Sequence, residues 1–180
     1  ATREGHPVAY LVGSGFDSAD ETSEQRARQV LKRARAAVVV DGGGLDALVS
    51  EKVARILAQR EQDHFATIIT PHMGEAARLA KPLGIPTDDP AQLALDLSQA
   101  YHVVTLLKGP ASYISDGARV VIMDEGTPAL AKAGTGDVLA GMVSALAAQG
   151  LDALDACVLG ATLHACAGRA AASVLGEIGV

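Results

Sequence analysis

Short, continuous apolar runs alternate along this chain with longer segments in which apolar residues recur at helical spacing. The apolar runs predict buried strands, and the first four end in glycine or in a polar turn residue. These strands are predicted at residues 8–12, 37–40, 66–69, 103–107, 113–114 and 120–123. The segments between and after them predict helices at residues 22–35, 50–59, 74–80, 91–100, 137–149 and 153–175. In the helix at residues 137–149, helical spacing predicts a core-facing side made of Val138, Leu139, Met142, Val143 and Leu146.

The order of these elements indicates the fold class. Strands that alternate with helices, and that are apolar on both faces, are typical of a parallel sheet covered on both sides. Residues 115–118, Ser-Asp-Gly-Ala, have the composition of a hairpin turn between the last two strands. We therefore predict a single α/β domain over residues 1–180, with a mainly parallel sheet, helices on both faces and Ala-rich C-terminal helices. Ligands of such sheets bind at the carboxyl ends of the strands.

Composition and charge exclude some classes of protein. Hydrophobic residues make up 49% of the 180 residues and charged residues 20%, so we expect a packed core. The net charge is −6, which argues against a nucleic-acid-binding surface because there is no excess of basic residues to displace counterions. A small nucleotide needs only local hydrogen-bond donors, so the negative charge leaves that class of ligand open.

The cysteines, the first seven residues and the lengths of the apolar runs indicate the cellular compartment of the protein. Cys157 and Cys166 are nine residues apart in one predicted helix, which places them on opposite faces and excludes a disulfide between them. We expect both to be small buried residues in a reducing environment. Residues 1–7 lack the apolar segment of a signal peptide, and no apolar run is as long as a membrane span. We expect a cytoplasmic protein without a membrane partner.

The strongest candidate site is the stretch at residues 133–141, Ala-Gly-Thr-Gly-Asp-Val-Leu-Ala-Gly. Gly134 and Gly136, with Thr135 between them, precede a predicted helix whose N-terminal N–H groups attract an anion such as phosphate. Asp137 lies at the same position, where a carboxylate suits a general base that takes a proton from an attacking hydroxyl. The simpler interpretation is that Asp137 is only the cap of a helix.

Two further stretches follow predicted strands. In Thr-Pro-His-Met-Gly-Glu at residues 70–75, the simple interpretation makes His72 a loop residue and Glu75 a partner of the helix dipole. Lys108, followed by Gly109, is well placed to meet a phosphate, although a solvated lysine at a turn is equally plausible. Asp41 ends another strand and reads equally well as a turn residue. We interpret His164, in an Ala-rich helix without a metal-ligand partner, as structural.

These stretches carry a resemblance to a known family. Residues 133–141 resemble the anion-hole and catalytic-base signature of the ribokinase-like superfamily, and most closely that of the ADP/ATP-dependent NAD(P)H-hydrate dehydratases. Residues 70–75 are similar to the Thr-Pro-His-x-Gly-Glu form of those dehydratases, whereas related sugar kinases have Asn at the position of His72. Residues 108–112 resemble the family's Lys-Gly-x-x-[Ser/Thr] run. Residues 13–15 look like a weakened form of its glycine-rich substrate loop.

The resemblance implies an activity and a role for each residue. The activity is nucleotide-dependent dehydration of hydrated NADH or NADPH, with Mg²⁺ and with ATP or ADP as co-substrate. Asp137 is the implied base, and Gly134, Thr135 and Gly136 form the implied anion hole. The implied nucleotide contacts are Lys108, Gly109, Pro110, Ala111, Ser112 and Gly136. The implied contacts to the hydrated dinucleotide are Gly15, His72 and Asp137, and Glu75 is the implied metal residue, acting through water.

The resemblance also sets expectations about partners. Family members often form homo-oligomers and act together with an NAD(P)H-hydrate epimerase. The family usually has further strand–helix units before the loop at Gly13, so we expect this chain to be short at its N-terminal end and to associate with itself. Two alternatives stay open. One is a ribokinase-like kinase of a sugar, a hydroxymethylpyrimidine or a thiazole alcohol, against which His72 argues; the other is a non-catalytic nucleotide-binding module.

Overall fold

A six-stranded sheet forms the centre of the computed structural model, which describes residues 8–16 and 21–176. The expectation for residues 1–7 therefore lies outside the described residues. The strands follow one another across the sheet in chain order. They are β1 (Ala9–Val12), β2 (Ala37–Val40), β3 (Thr67–Ile69), β4 (Val104–Leu107), β5 (Ser112–Ser115) and β6 (Val120–Met123). The first four are parallel and the last three pair antiparallel, so the predicted mainly parallel sheet and its hairpin are confirmed.

Within the described residues, six α-helices accompany the sheet. They are α1 (Glu21–Arg33), α2 (Glu51–Gln62), α3 (Met73–Ala80), α4 (Pro90–Tyr101), α5 (Thr135–Ala148) and α6 (Ala153–Leu175). The sequence predicts each of them to within a few residues. It does not predict the 3₁₀ helix at Gly42–Val49, because three successive glycines have low helix propensity and suggest a turn. Shorter 3₁₀ turns lie at Lys81–Leu83 and Pro128–Leu130.

Alternate residues of the strands face two separate cores. Val38 and Val40 pack with helices α1 to α4, whereas Val39, between them, packs with α5 and α6 on the opposite face. This follows from the two-residue period of a strand. The helices change faces after the antiparallel hairpin, and the prediction of helices on both faces is confirmed. Leu139 and Val143 of α5 are buried, but Val138 is 57% exposed, so its prediction as a core residue is wrong.

Helix α6 has the bounds that the sequence predicts, and one side of it is exposed. Within residues 8–16 and 21–176 it is the one helix that is long and apolar enough to cross a membrane, by length and composition only. Its inner face packs on the sheet and on α5 through small buried residues such as Cys157 and Ala161. Burial raises the pKa of the Cys157 thiol. Cys166, on the opposite side, is exposed, so the expectation that both cysteines are buried is wrong.

A buried arginine in α2 connects this helix with the end of α1 and the starts of β2 and β3. Arg60, in the last turn of α2, is 4% exposed, and its guanidinium donates to the side-chain oxygen of Thr67 at 2.8 Å. It also donates to four backbone carbonyls, those of Leu31, Ala34, Ala36 and Ala66, at 2.7 to 3.2 Å. Burial, with a smaller effect of Arg35, lowers the pKa of Arg60 to about 10. Arg60 thus fixes the end of α1 and the starts of β2 and β3.

Candidate active site

Polar side chains from the ends of four neighbouring strands form one network. Asp41, after β2, is 3% exposed, and its carboxylate accepts hydrogen bonds from the hydroxyls of Thr70 at 2.7 Å and Ser14 at 3.2 Å. The Lys108 ammonium, after β4, lies 2.8 Å from the same carboxylate. A buried charge is tolerated when it is paired and hydrogen-bonded in this way. Asp41 is therefore the centre of this network and not only a turn residue. The polar side chains at the ends of successive predicted strands are the sequence signal for such a network.

The loops after β1 and β2 are in close contact at this edge. Gly13 has a φ of +107°, and a side-chain carbon there would lie 2.0 Å from the carbonyl oxygen of Asp41. Only glycine fits such a position. At Gly15, which the family resemblance makes a substrate contact, an added side-chain carbon would meet no atom of the described residues within 4 Å beyond its chain neighbours. The described residues therefore leave the space beside Gly15 open.

The ammonium of Lys108 lies against the first turn of α5. A side-chain carbon placed on Gly136 would be only 3.2 Å from the Lys108 nitrogen. Asp41 thus holds the lysine on one side, and the glycine leaves room for it on the other. The result is a fixed positive charge at the N-terminus of a helix, where an anion is already favoured by the helix dipole.

The backbone at the start of α5 leaves two donors available. Gly134, with a φ of +91°, precedes the helix, and the Thr135 N–H donates to the carbonyl of Lys132 at 3.3 Å. The Thr135 hydroxyl turns back to the carbonyls of Leu130 and Lys132, at 2.6 and 2.8 Å. In the part of the chain that the structure describes, the N–H groups of Gly136 and Asp137 have no acceptor. These two amides and Lys108 are the groups that could hold a phosphoryl group.

A cavity of about 700 Å³ opens beside this helix terminus. It lies between the β5–β6 hairpin, residues 126–132, and the facing sides of α5 and α6. Its volume is in the range of small-molecule sites. Of the residues predicted to bind nucleotide, those that line it are Lys108, Gly109, Pro110, Ser112 and Gly136. Ala111 is half-buried and does not line it. The remaining walls are mostly apolar, with Met123, Leu130 and Leu139 among them.

The candidate base lies on the other side of the same helix turn. Thr135, Gly136 and Leu139 line the cavity, whereas Asp137 and its neighbour Val138 are exposed and do not. Successive helical residues are about 100° apart, which accounts for the difference. The structure therefore does not bring Asp137 or Gly15 into the cavity. A second molecule that contacts Asp137 would approach the N-terminus of α5 from the opposite side to the cavity.

His72 and Glu75 form a capping box at the start of α3. His72 Nδ1 accepts from the N–H groups of Gly74 at 3.0 Å and Glu75 at 3.3 Å, while Glu75 Oε2 accepts from the His72 N–H at 2.8 Å. The pair thus satisfies donors that a helix N-terminus leaves open. The His72 side chain is 58% exposed and lines the cavity, whereas Glu75 is largely buried. Both residues have a structural role, and His72 is also within reach of a ligand.

His164 is the titratable residue of α6 that lines the cavity, although the sequence predicts only a structural role for it. It lies on α6 with Ala161 and Ala165, and all three line the cavity at helical spacing. Burial lowers the pKa of its imidazole, and a hydrogen bond with the backbone of Thr135 opposes this effect to a smaller extent. The interpretation of His164 as a structural residue is therefore incomplete. A lone imidazole in an Ala-rich helix gives no local pattern that would show it.

The sequence as a whole decides the family. A sequence profile described as NAD(P)H-hydrate dehydratase matches residues 4–177. The chain belongs to the NAD(P)H-hydrate dehydratase family. The resemblance seen in residues 70–75, 108–112 and 133–141 is confirmed.

Relatives within the family are longer than this chain. The bifunctional NAD(P)H-hydrate repair enzyme Nnr of Moorella thermoacetica is 37% identical over 169 residues, which cover 92% of this chain and 31% of that protein. The ADP-dependent (S)-NAD(P)H-hydrate dehydratase of Xanthomonas campestris is 31% identical over 174 residues, covering 95% of this chain and 56% of that protein. The chain thus spans between about a third and three fifths of the length of these relatives.

Solved structures support the fold. The ADP/ATP-dependent NAD(P)H-hydrate dehydratase of Bacillus subtilis, co-crystallised with ATP/Mg²⁺ and soaked with CoA, superposes with a TM-score of 0.73. The match covers 96% of this chain and 60% of that one, at 24% identity. At this identity the likeness concerns the fold, and the predicted ribokinase-like α/β architecture is confirmed.

Proposed function

We propose that this chain is an ADP- or ATP-dependent NAD(P)H-hydrate dehydratase that acts on hydrated NADH or NADPH. One observation carries the proposal: Lys108 and the N–H groups of Gly136 and Asp137 meet at one helix terminus, with a cavity on one side and an exposed carboxylate on the other. This arrangement suits transfer of a phosphoryl group between two ligands. The name of the Xanthomonas campestris relative supports the choice of reaction.

The cavity is the proposed nucleotide site. Its apolar walls suit a purine ring, and the residues from Lys108 to Ser112 lie where the phosphates would reach the N-terminus of α5. Lys108 supplies a positive charge, and the amides of Gly136 and Asp137 supply donors for the transferring phosphoryl group. Gly134 and Thr135 shape this anion hole through the left-handed turn and the hydrogen bonds of the threonine hydroxyl.

The hydrated dinucleotide is proposed to approach from the side of Asp137 and Gly15. The Asp137 carboxylate takes the proton of the ring hydroxyl as the hydroxyl oxygen forms a bond to the terminal phosphorus of the nucleotide. The shorter nucleotide leaves. The carbon–oxygen bond of the phosphorylated ring then breaks, phosphate departs with the bonding electrons, and loss of a ring proton restores the reduced nicotinamide. Gly15 leaves room for the dinucleotide, and His72 contacts it from the edge of the cavity.

Magnesium is the proposed metal, and its binding would depend on the nucleotide. Among the described residues no three potential metal ligands are grouped, and the Asp41 and Glu75 carboxylates already accept hydrogen bonds within the protein. Mg²⁺ commonly keeps several waters and binds substrate phosphates with one or two carboxylates. The residues present fit that mode, with Glu75 acting through water. When bound, the ion would neutralise charge on the phosphates.

We further propose a cytoplasmic homo-oligomer whose functional partner is an NAD(P)H-hydrate epimerase. Within the described residues β1 is one edge of the sheet, and Tyr10 and Leu11 on it are exposed. An open edge with apolar side chains favours self-association. The bifunctional repair enzyme among the relatives supports the partner. Sedimentation measures the oligomeric state, and thermal unfolding at several protein concentrations measures its contribution to stability. A monomer whose sharp thermal transition does not depend on protein concentration would contradict the proposed assembly.

The test of the proposed function is phosphate release from ADP and from ATP, with and without NADPH hydrate. We expect release that requires the hydrate and is lost in Asp137→Asn. Phosphorylation of a sugar, a hydroxymethylpyrimidine or a thiazole alcohol, without any effect of the hydrate, would show a kinase instead. Nucleotide binding without release on any of these compounds would show a non-catalytic binding module.

A further inference from the structure

We propose that Asp41 is a positioning residue that fixes the groups meeting the two substrates relative to each other, with one carboxylate oxygen for each side. The inference rests on the proposed function and adds to it a residue that acts only through others. Asp41 is 3% exposed and does not line the cavity, so a nucleotide bound there does not contact its carboxylate. Its effect on the reaction passes through the side chains that it holds.

The first oxygen of the carboxylate serves the nucleotide side. Asp41 Oδ1 accepts a hydrogen bond from the Lys108 ammonium at 2.8 Å and from the Thr70 hydroxyl at 2.7 Å. The Lys108 side chain is 20% exposed and lines the cavity. A lysine has a flexible stem, and its ammonium is a point charge without a preferred direction. Asp41 therefore sets where this charge lies, and Gly136 leaves room for it there.

The second oxygen serves the loop of residues 13–16. Asp41 Oδ2 accepts a hydrogen bond at 3.2 Å from the hydroxyl of Ser14, the residue before Gly15. The backbone connects the same two loops, because the Asp41 N–H donates to the last carbonyl of β1 at 3.0 Å and Gly13 packs against the Asp41 carbonyl. The position of Gly15, a proposed contact of the hydrated dinucleotide, therefore depends on Asp41.

One carboxylate thus sets the distance between the two substrates. Phosphoryl transfer needs the attacking oxygen and the phosphorus about 3–3.5 Å apart, and a misplacement of about 1 Å can cost about a hundredfold in rate. Without the charge of Asp41 the Lys108 ammonium is no longer held, but it can still follow the phosphates of a bound nucleotide. The rate of the reaction, rather than the affinity for either substrate, should therefore depend on Asp41.

Steady-state kinetics of Asp41→Asn with ADP or ATP and NADPH hydrate tests this role. The amide is nearly the same size and its oxygen still accepts hydrogen bonds, but it has no charge to hold the ammonium. We expect kcat to fall about ten- to a hundredfold, whereas both KM values and the calorimetric affinity for ADP change by less than about threefold. The stoichiometry of ADP binding counts the folded sites, so kcat is expressed per site. Asp46→Asn, in the 3₁₀ helix that follows Asp41, is the matched control and should behave as wild type.

A second variant tests the connection to the loop. Ser14→Ala removes the hydroxyl that donates to Asp41 Oδ2 and leaves Lys108 in place, so kcat should fall severalfold while the affinity for ADP stays the same. In the Asp41→Asn background the same substitution should cause a smaller loss, because Ser14 acts through Asp41. The double-mutant cycle of kcat values measures this coupling.

The contrary outcomes differ from one another. A wild-type kcat in Asp41→Asn would show that the carboxylate does not position the substrates. Fewer binding sites with a wild-type kcat per site would show a purely structural role, and a loss of ADP affinity as large as the loss of kcat would confine Asp41 to nucleotide binding. Full additivity of the two substitutions would separate Ser14 from Asp41. A folded wild type without turnover of the hydrate would overturn the proposed function, and this proposal with it.

Discussion

The ammonium of Lys108 and the carboxylate of Asp41 are 2.8 Å apart, although 67 residues separate them in the chain. The two residues follow β4 and β2, and Thr70 after β3 donates to the same carboxylate. The parallel sheet brings these side chains together because it aligns the carboxyl ends of its strands. Since Gly136 leaves room for the lysine, the sheet and α5 together fix the position of one positive charge.

Replacing Lys108 with alanine should weaken the binding of ADP or ATP about ten- to a hundredfold, because a charge-assisted contact is lost. The binding of the hydrated dinucleotide should change less. Calorimetric titration with each ligand measures both effects. Lys81→Ala, in an exposed turn, is the control and should bind as wild type. Equal losses for the two ligands would indicate that Lys108 has a structural role instead.

The Lys108→Ala variant should also be less stable, because it leaves the buried Asp41 carboxylate without its cation. Breaking such a pair costs about 3 kcal/mol when the remaining charge is buried. Adding Asp41→Asn should recover much of that stability without recovering nucleotide affinity. Thermal unfolding of the single and double variants provides the comparison. Full additivity of the two destabilising effects would contradict a direct pairing of Lys108 and Asp41 in solution.

Replacing Gly136 with alanine should lower the affinity for nucleotide without lowering the stability of the fold. The new methyl group would lie 3.2 Å from the Lys108 nitrogen and push the lysine away, so nucleotide affinity should fall severalfold. The fold should be unharmed, because alanine favours a helix over glycine by about 0.5–1 kcal/mol. Gly141→Ala in the same helix is the matched control, since apart from the neighbouring helix backbone no described atom lies within 4 Å of its added carbon. Equal nucleotide affinity of the two variants would refute the close contact.

Arg60→Met should lower the free energy of unfolding by about 3 kcal/mol. The substitution relieves the desolvation of a charge, but it removes the shared donor of four carbonyls and a threonine hydroxyl. The Ala66 carbonyl keeps the Val38 N–H as a donor, and each group that is left unsatisfied costs about 1–3 kcal/mol. Arg55→Met, on the exposed side of the same helix, should change the stability by less than about 0.5 kcal/mol. Chemical denaturation measures both. A stability close to wild type in Arg60→Met would contradict the assigned role.

His72→Asn should impair the dehydratase while it leaves the fold and the nucleotide site intact. Asparagine is a good N-cap, so α3 keeps its start. His72→Ala, which lacks the cap, should in addition lose about 1 kcal/mol of stability. Turnover with NADPH hydrate, nucleotide affinity and melting temperature separate these effects. Unchanged turnover in His72→Asn would remove His72 from the substrate contacts.

The sequence predicts those features of the fold and of the candidate site that are formed by residues close together in the chain. The strands are recognisable because a buried parallel strand is a continuous apolar run, as at residues 37–40. The candidate phosphate-binding stretch at residues 133–137 is recognisable because its glycines directly precede the helix α5. By contrast, helical spacing alone predicts Val138 in the core, yet it lies with Asp137 on the exposed side of α5.

Features that depend on distant parts of the chain could not be predicted in the same way. His164 belongs to the cavity because residues 126–132 and the hairpin close over α6, and nothing in its own helix indicates this. The contacts of Arg60 come from three other elements. The contact between Gly13 and the loop after β2 is likewise a product of tertiary packing.

Asp137→Asn should reduce turnover about 10²- to 10⁴-fold, the usual contribution of a general base, while ADP and ATP still bind. Asparagine is nearly the same size, and the carboxylate is exposed and does not line the cavity, so the anion hole should survive. Steady-state rates and calorimetric titration of the variant measure the two quantities. A variant that keeps more than about a tenth of the wild-type rate would exclude Asp137 as the base.

The most direct measurement is the recovery of reduced-nicotinamide absorbance from purified NADPH hydrate. The account predicts recovery that requires this protein together with ADP or ATP and magnesium, with one phosphate released for each NADPH restored. No recovery with either nucleotide, from a folded protein that phosphorylates a sugar, a pyrimidine or a thiazole alcohol, would contradict it.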